Sequence, residues 1–252
     1  MLKKLAVFFV FVFVTLINLQ AKAAEGLSVV VSDNNPPFSW SEQKIVRGID
    51  VDIVREASKR AGYLVDIGVA PWKRMISMVK SGFADGGTSA LYRKSREKFA
   101  VYTKVPLRQI QFGAFVRKSS NFSYQSPSSF AGMDVGKIRG YAIGEAFDQA
   151  KEAGVFKITE VDSAAQGLKM LVNKRIDVFV SNETVTQYWV KKKGYGGDVK
   201  MLHPPVNQGE YVFWIFSRAK YKAEMGAKIN DALQSMTDDG TLSSIVQYYM
   251  GE

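Results

Sequence analysis

Between Tyr92 and Lys98 the chain carries Arg93, Lys94, Arg96 and Lys98 against a single acid, Glu97. A loop of that charge can hold an anion, and an arginine in it can grip a carboxylate through two parallel hydrogen bonds. The loop follows a short, small, apolar stretch from Phe83 to Ala90, read as a buried strand broken by Gly86 and Gly87. Upstream, Trp72, Met75, Ile76 and Val79 recur at helical spacing and stop at Gly82. An aromatic residue, an amphipathic helix and a cationic loop are therefore expected to form one wall of a binding cleft.

Other chemistries find few residues. One histidine, His203, and no cysteine leave no cluster for zinc and no disulfide framework. A serine nucleophile would lack an oriented base. Asp50, Asp52, Glu56 and Asp66 are read as helix and strand surface, which gives a paired-carboxylate hydrolase little support. The glycines of GKIRGYAIG lack the order of a dinucleotide site. No cofactor and no metal are expected.

The elements that must position these residues alternate. Leu27–Val31 reads as a buried strand ended by Asp33-Asn34-Asn35-Pro36-Pro37, with Phe38 and Trp40 in the loop. A helix capped by Asp50 buries Ile49, Ile53, Val54, Ala57 and Ala61 and ends at Gly62. Tyr63–Val69 is the next strand, so strand and helix alternate into a parallel sheet with right-handed crossovers. After the extended run 111–117 and a stretch rich in Ser, Asn and Pro, a second α/β series begins at Asp134. Its strands are Asp134–Ile138, Phe156–Val161, Ile176–Val180 and Val199–Leu202, and Ser163 with Gln166 forms a capping box. The aromatic run Tyr211–Phe216 is a buried strand, and two helices follow it.

The N-terminus reads differently. Lys3 and Lys4 precede an apolar run from Leu5 to Leu19, and Ala21-Lys22-Ala23 offers the small residues a signal peptidase reads. The run is short for a bilayer, which needs roughly 20 apolar residues, so a signal peptide over residues 1–23 is expected. Its removal takes away three lysines and lowers the formal charge from +10 to +7. Nucleic acid is the least fitting partner for an exported chain with no basic low-complexity arm. The 46% hydrophobic and 23% charged composition suits a folded core rather than disorder.

These features together resemble the family 3 bacterial solute-binding proteins, the periplasmic receptors of polar amino acid ABC importers. The strings that carry the likeness are NNPPFSW, GIDVDIVREASKRAG, PWKRMISMVKSGFADGG, SREKFAVYTKVPL, SSFAGMDVGKIRGYAIG, NKRIDVFVSNE and INDALQSMTDDGTLSSIVQYYMG, in family order over nearly the whole chain. The resemblance implies an α/β fold of two lobes, the type II periplasmic-binding-protein architecture, with two mixed sheets flanked by helices. Lobe 1 would span 24–114 plus 211–252 and lobe 2 would span 118–207, with hinge strands near 115–117 and 208–210. It implies a monomer without enzymatic activity that traps a small polar, carboxylate-bearing ligand between the lobes and hands it to an inner-membrane ABC permease.

The family's ligand residues carry over one by one. The aromatic shelf before a proline falls on Asn35, with Phe38 as a nearby substitute, and the second shelf is Trp72. Thr88 and Ser89 match a hydroxyl-rich stretch. The carboxylate-gripping arginine is Arg96 if SREKF anchors the match and Arg93 if one counts from Thr88; Arg96 is the position taken here. The turn after the first strand of lobe 2 implies donors at Arg139, Gly140 and Tyr141, with packing as the other reading of Tyr141. Where amino-acid receptors place an Asp for the ligand's ammonium, this chain has Asn182, with Glu183 beside it. Glu183 either substitutes for that Asp or is a helix-terminal acid. Two alternatives accompany this reading: a cleft lyase of the cyclohexadienyl dehydratase type, with Glu183 as its acid, and a ligand-sensing partner of a membrane signalling protein.

Overall fold

The computed structural model describes residues 25–250; the expected signal peptide lies outside them. Gly26–Ser32 forms β1, and a small hairpin of β2 (Trp40–Glu42) and β3 (Ile45–Arg47) leads into α1 (Ile49–Arg60). Then come β4 (Leu64–Ala70), α2 (Trp72–Ser81), β5 (Gly86–Leu91), β6 (Ala100–Tyr102) and β7 (Arg108–Ile110). A second series follows as β8 (Phe112–Arg117), β9 (Asp134–Ile138), α3 (Glu145–Glu152), β10 (Lys157–Val161), α4 (Ala164–Val172), β11 (Val178–Asn182), α5 (Glu183–Lys192) and β12 (Val199–Met201). The chain returns through β13 (Glu210–Ser217) and ends in α6 (Ala223–Asp238) and α7 (Thr241–Met250).

The first sheet has the order β4-β1-β5-β13-β6, with β7 also on β13; the second runs β10-β9-β11-β8-β12. In each sheet the strands joined by helices are parallel, as the alternating pattern requires, and the returning strands, β13 and β8, are antiparallel. Helix α1 turns Ile49, Ile53, Val54 and Ala57 inward to a cluster that includes Trp214 and Phe216 of β13. Phe130, Phe147 and Phe156 pack edge to face in the second unit. Among the described residues no helix is long and apolar enough to cross a membrane.

Three expectations shift. The strand expected over Phe83–Ala90 is Gly86–Leu91, and Phe83 lies 73% exposed in the turn before it. Gly86 does not break this strand. A Cβ there would stand 2.6 Å from Trp214 Nε1 and 2.8 Å from the Ile215 carbonyl oxygen, so the glycine lets β13 approach. Gly86→Ala is expected to cost about 1–3 kcal/mol of stability, read as a lower urea midpoint at unchanged slope; an unchanged midpoint would contradict this packing.

Asp50 does not cap α1 either: the cap position is Gly48, without a side-chain bond, and Asp50 is buried. Finally, Phe115, Val116 and Arg117, expected near a hinge, pair with β11 and β12 inside the second sheet. The chain crosses between sheets earlier, at Gln111, and returns over 207–209. Asn207 ties the crossings together, accepting from the Phe112 amide at 2.8 Å, while Gln111 Nε2 donates to the Asn207 carbonyl at 3.3 Å.

Candidate functional site

Where the two sheets face each other, strand ends and helix starts from both deliver side chains to one cavity. The first unit contributes Asn35 and Phe38 from the loop after β1, Trp72 from the start of α2, Ser89 and Leu91 from β5, Arg96 from a short 3-10 turn, and Arg108 and Ile110 from β7. The second contributes Phe112, Tyr141, Ala142 and Asn182. They enclose about 30 Å³, room for about two waters. An adjoining cavity of about 40 Å³ shares Asn35, Trp72, Tyr141 and Asn182.

Trp72 joins the walls. Its Nε1 donates to the Gly140 carbonyl at 3.1 Å, and its ring meets Tyr141 edge-on at 5.3 Å. The Arg96 guanidinium carbon stands 5.5 Å from the indole centroid. Arg96 also donates from Nη1 to the Leu91 carbonyl at 2.7 Å. Among the described residues no carboxylate pairs with it, and burial lowers its pKa below the ordinary arginine value. Its charge stays available to an incoming anion.

Arg93, the other arginine considered, donates to Glu210 Oε2 at 2.7 Å and is thereby neutralised. Lys94 and Lys98 are exposed. The cationic loop thus divides into one cavity arginine, one ion-paired arginine and two solvated lysines.

Sequence reasoning missed a buried ion pair at the cavity wall. Arg108, its side chain 7% exposed, donates from Nε to Asp50 Oδ1 at 2.9 Å and from Nη2 to Oδ2 at 3.2 Å. Ser89 completes the group, donating to Asp50 and accepting from Arg108 Nη2 at 2.6 Å. The Arg108 guanidinium carbon lies 3.4 Å from the Phe38 ring centroid, so Phe38 supports a cation as well as lining the cavity. Arg108 Nη1 is buried with no partner. Ser89 holds a left-handed φ of 60°, a conformation found where surroundings over-determine the backbone, often at binding sites. In the sequence Arg108 stands between Leu107 and Gln109, with Gln111 close by, so nothing local marks it as buried.

The other expected contacts fare unevenly. Thr88 is buried behind the strand with its hydroxyl unpaired and lies outside the cavity lining. Arg139 is held by Asp162 at 2.9 Å and Glu160 at 3.1 Å, and lines only the adjoining cavity. The Gly140 amide donates to Glu160 Oε1 at 3.3 Å and the Tyr141 amide to the Ile138 carbonyl at 3.1 Å, so the expected backbone donors are occupied. Burial would raise the Glu160 pKa, but that amide, Lys137 and Arg139 hold it below the usual range. The Tyr141 ring does line the cavity; burial raises its phenol pKa, against a hydrogen bond with Ser32.

Asn182 is the N-cap of α5, its Oδ1 accepting from the Val185 amide at 3.0 Å. Glu183 sits in the first turn of that helix, accepts from Gln187 at 3.1 Å and lines neither cavity. Asn35 is buried at 8% exposure and faces both. Among the described residues no group of three potential metal ligands occurs.

Comparison with known proteins gives concordant matches. The profile of the bacterial extracellular solute-binding proteins, family 3, matches residues 27–252. The L-cystine-binding protein TcyA of Bacillus subtilis (strain 168) is 24% identical over 229 residues, 90% of this chain and 81% of that protein. An ancestral arginine-binding protein bound to arginine superposes with a TM-score of 0.78 at 24% identity, over 89% of this chain and 97% of its own. A histidine kinase sensor domain with similarity to periplasmic binding proteins gives 0.81 at 17% identity, over 90% and 97%.

Proposed function

We propose a receptor function from the premise that this chain belongs to the family 3 bacterial extracellular solute-binding proteins, whose two-lobed α/β fold it shares. In this reading a small carboxylate-bearing solute, an amino acid or related metabolite, is trapped between the two sheets, and the loaded form is handed to an inner-membrane ABC permease. The observation that carries it is Arg96: a partly buried guanidinium on a cavity wall, beside the Trp72 ring, with no carboxylate partner among the described residues. Phe38 and Trp72 supply flat apolar faces for the body of the solute.

The lobes are assigned to the two sheets, with the hinge at Gln111 and 207–209, and the two walls part by rotation there. The receptor is exported, its signal peptide removed, and it acts as a monomer without nucleic acid. The relatives are named as binding proteins, and no catalysis is assigned. A lyase would need a cleft acid, and Glu183, the residue considered for it, lines neither cavity.

Thermal unfolding of the purified protein against carboxylates, polyamines and sugars tests the reading. A carboxylate at a hundred times its Kd is expected to stabilise by about 2.7 kcal/mol. Stabilisation by a polyamine or a sugar, with none from any carboxylate, would overturn it.

A further inference from the structure

The polar side chains lining the Arg96 cavity are two guanidiniums, two amides and two hydroxyls, with no carboxylate among them. Asn182 stands where the family resemblance implies an acid for an ammonium. Its carbonyl oxygen is already engaged by the Val185 amide, which leaves Nδ2 as its free group. Arg108 lines the same cavity, and of its three nitrogens Nη1 alone lacks a partner. The carboxylate nearest to hand, Asp50, has both oxygens taken by Arg108 and Ser89. Asp50 itself lies behind the wall, and no acid lines this cavity.

Arg96 also borders an open cleft carrying Asp148, Glu152 and Glu160, which Asn182 and Arg108 do not line. For a solute seated between Arg96 and Asn182, an α-ammonium, one carbon from the carboxylate, lies in the acid-free cavity. It would meet no anionic acceptor there, and an uncompensated buried ammonium is costly. The adjoining cavity does carry Asp33 and Asp162, but Arg96 does not line it, so these acids suit only an amine far from the carboxylate. An oxygen in the α position reverses the balance, because it accepts from Asn182 Nδ2 or Arg108 Nη1.

Building on the carboxylate-receptor reading, we infer that the solute is a 2-hydroxy or 2-oxo carboxylate with an apolar side chain, not an α-amino acid. The side chain lies among Phe38, Leu91, Ile110 and Phe112, and the single unpaired cation, Arg96, matches a monoanion.

Isothermal titration with matched sets tests this: the 2-amino, 2-hydroxy and 2-oxo acids of one aliphatic and one aromatic side chain, and the carboxamide of each hydroxy acid. The hydroxy or oxo acid is expected to bind at least about tenfold more tightly than the amino acid of the same side chain. Asn182→Asp, which keeps a good helix cap, is expected to reverse that order. An amino acid binding as well as or better than its oxygen counterparts would overturn the inference and leave the receptor reading standing. A carboxamide binding as well as its acid would overturn the carboxylate reading itself. No binding by any acid of the sets would overturn both.

Discussion

Arg108→Met is expected to lower the stability of the folded protein by about 3–5 kcal/mol, the cost of leaving one partner of a buried ion pair alone. Asp50 is fully buried, and both of its oxygens point at groups that depend on Arg108: the guanidinium itself and Ser89, which that guanidinium also holds. Removing the cation leaves a carboxylate with one hydroxyl donor in an apolar setting. The double replacement Asp50→Leu with Arg108→Met should recover most of the loss, since an apolar pair of similar volume often equals a buried ion pair. Urea unfolding of the single and double variants measures this. A single variant less than about 1 kcal/mol below the unaltered protein would mean that the pair carries little.

Arg96→Ala acts on binding instead. Losing the charged partner of a desolvated carboxylate is expected to weaken affinity by about 2–5 kcal/mol. The fold should lose only about 1–2 kcal/mol, because the side chain's contacts are few: the Leu91 carbonyl, the Tyr102 hydroxyl and the Trp72 ring. Titration of the variant with the best acid from the panel gives the value. A loss below about threefold would remove Arg96 from the clamp. Measured together, the two arginines should separate: one variant folds poorly, the other folds and fails to bind.

Much of the scaffold was legible because periodicity and punctuation agreed. The helix from Trp72 to Gly82 and the cap pair Ser163 and Gln166 stand where their residue types required, with Ser163 accepting from the Gln166 amide at 3.2 Å. At the site, Trp72, Ser89, Arg96, Phe38, Tyr141, Asn35 and Asn182 do converge on one cavity. What stayed hidden depended on pairing at long sequence separation. Asp50 and Arg108 are 58 residues apart, and nothing local distinguishes a first-turn aspartate that binds an arginine from one that faces water. Arg93 likewise pairs with Glu210, 117 residues away, a partner that nothing local announces. The start of the second sheet was displaced for a related reason: QFGAFVR reads as one extended run whichever sheet it joins, and only its pairing with β11 and β12 tells.

The single residue between β7 and β8 has a mechanical consequence. On the proposed hinge, torsion concentrates at Gln111, whose carbonyl accepts from the Glu183 amide at 2.9 Å, at the very start of the helix that Asn182 caps. The pivot and the residue proposed to sense the solute's α substituent are thus geared together. On the proposed hinge and solute, a turn of the axle would swing Asn182 with it, and the fit at one carbon would set the angle at which the two halves come to rest.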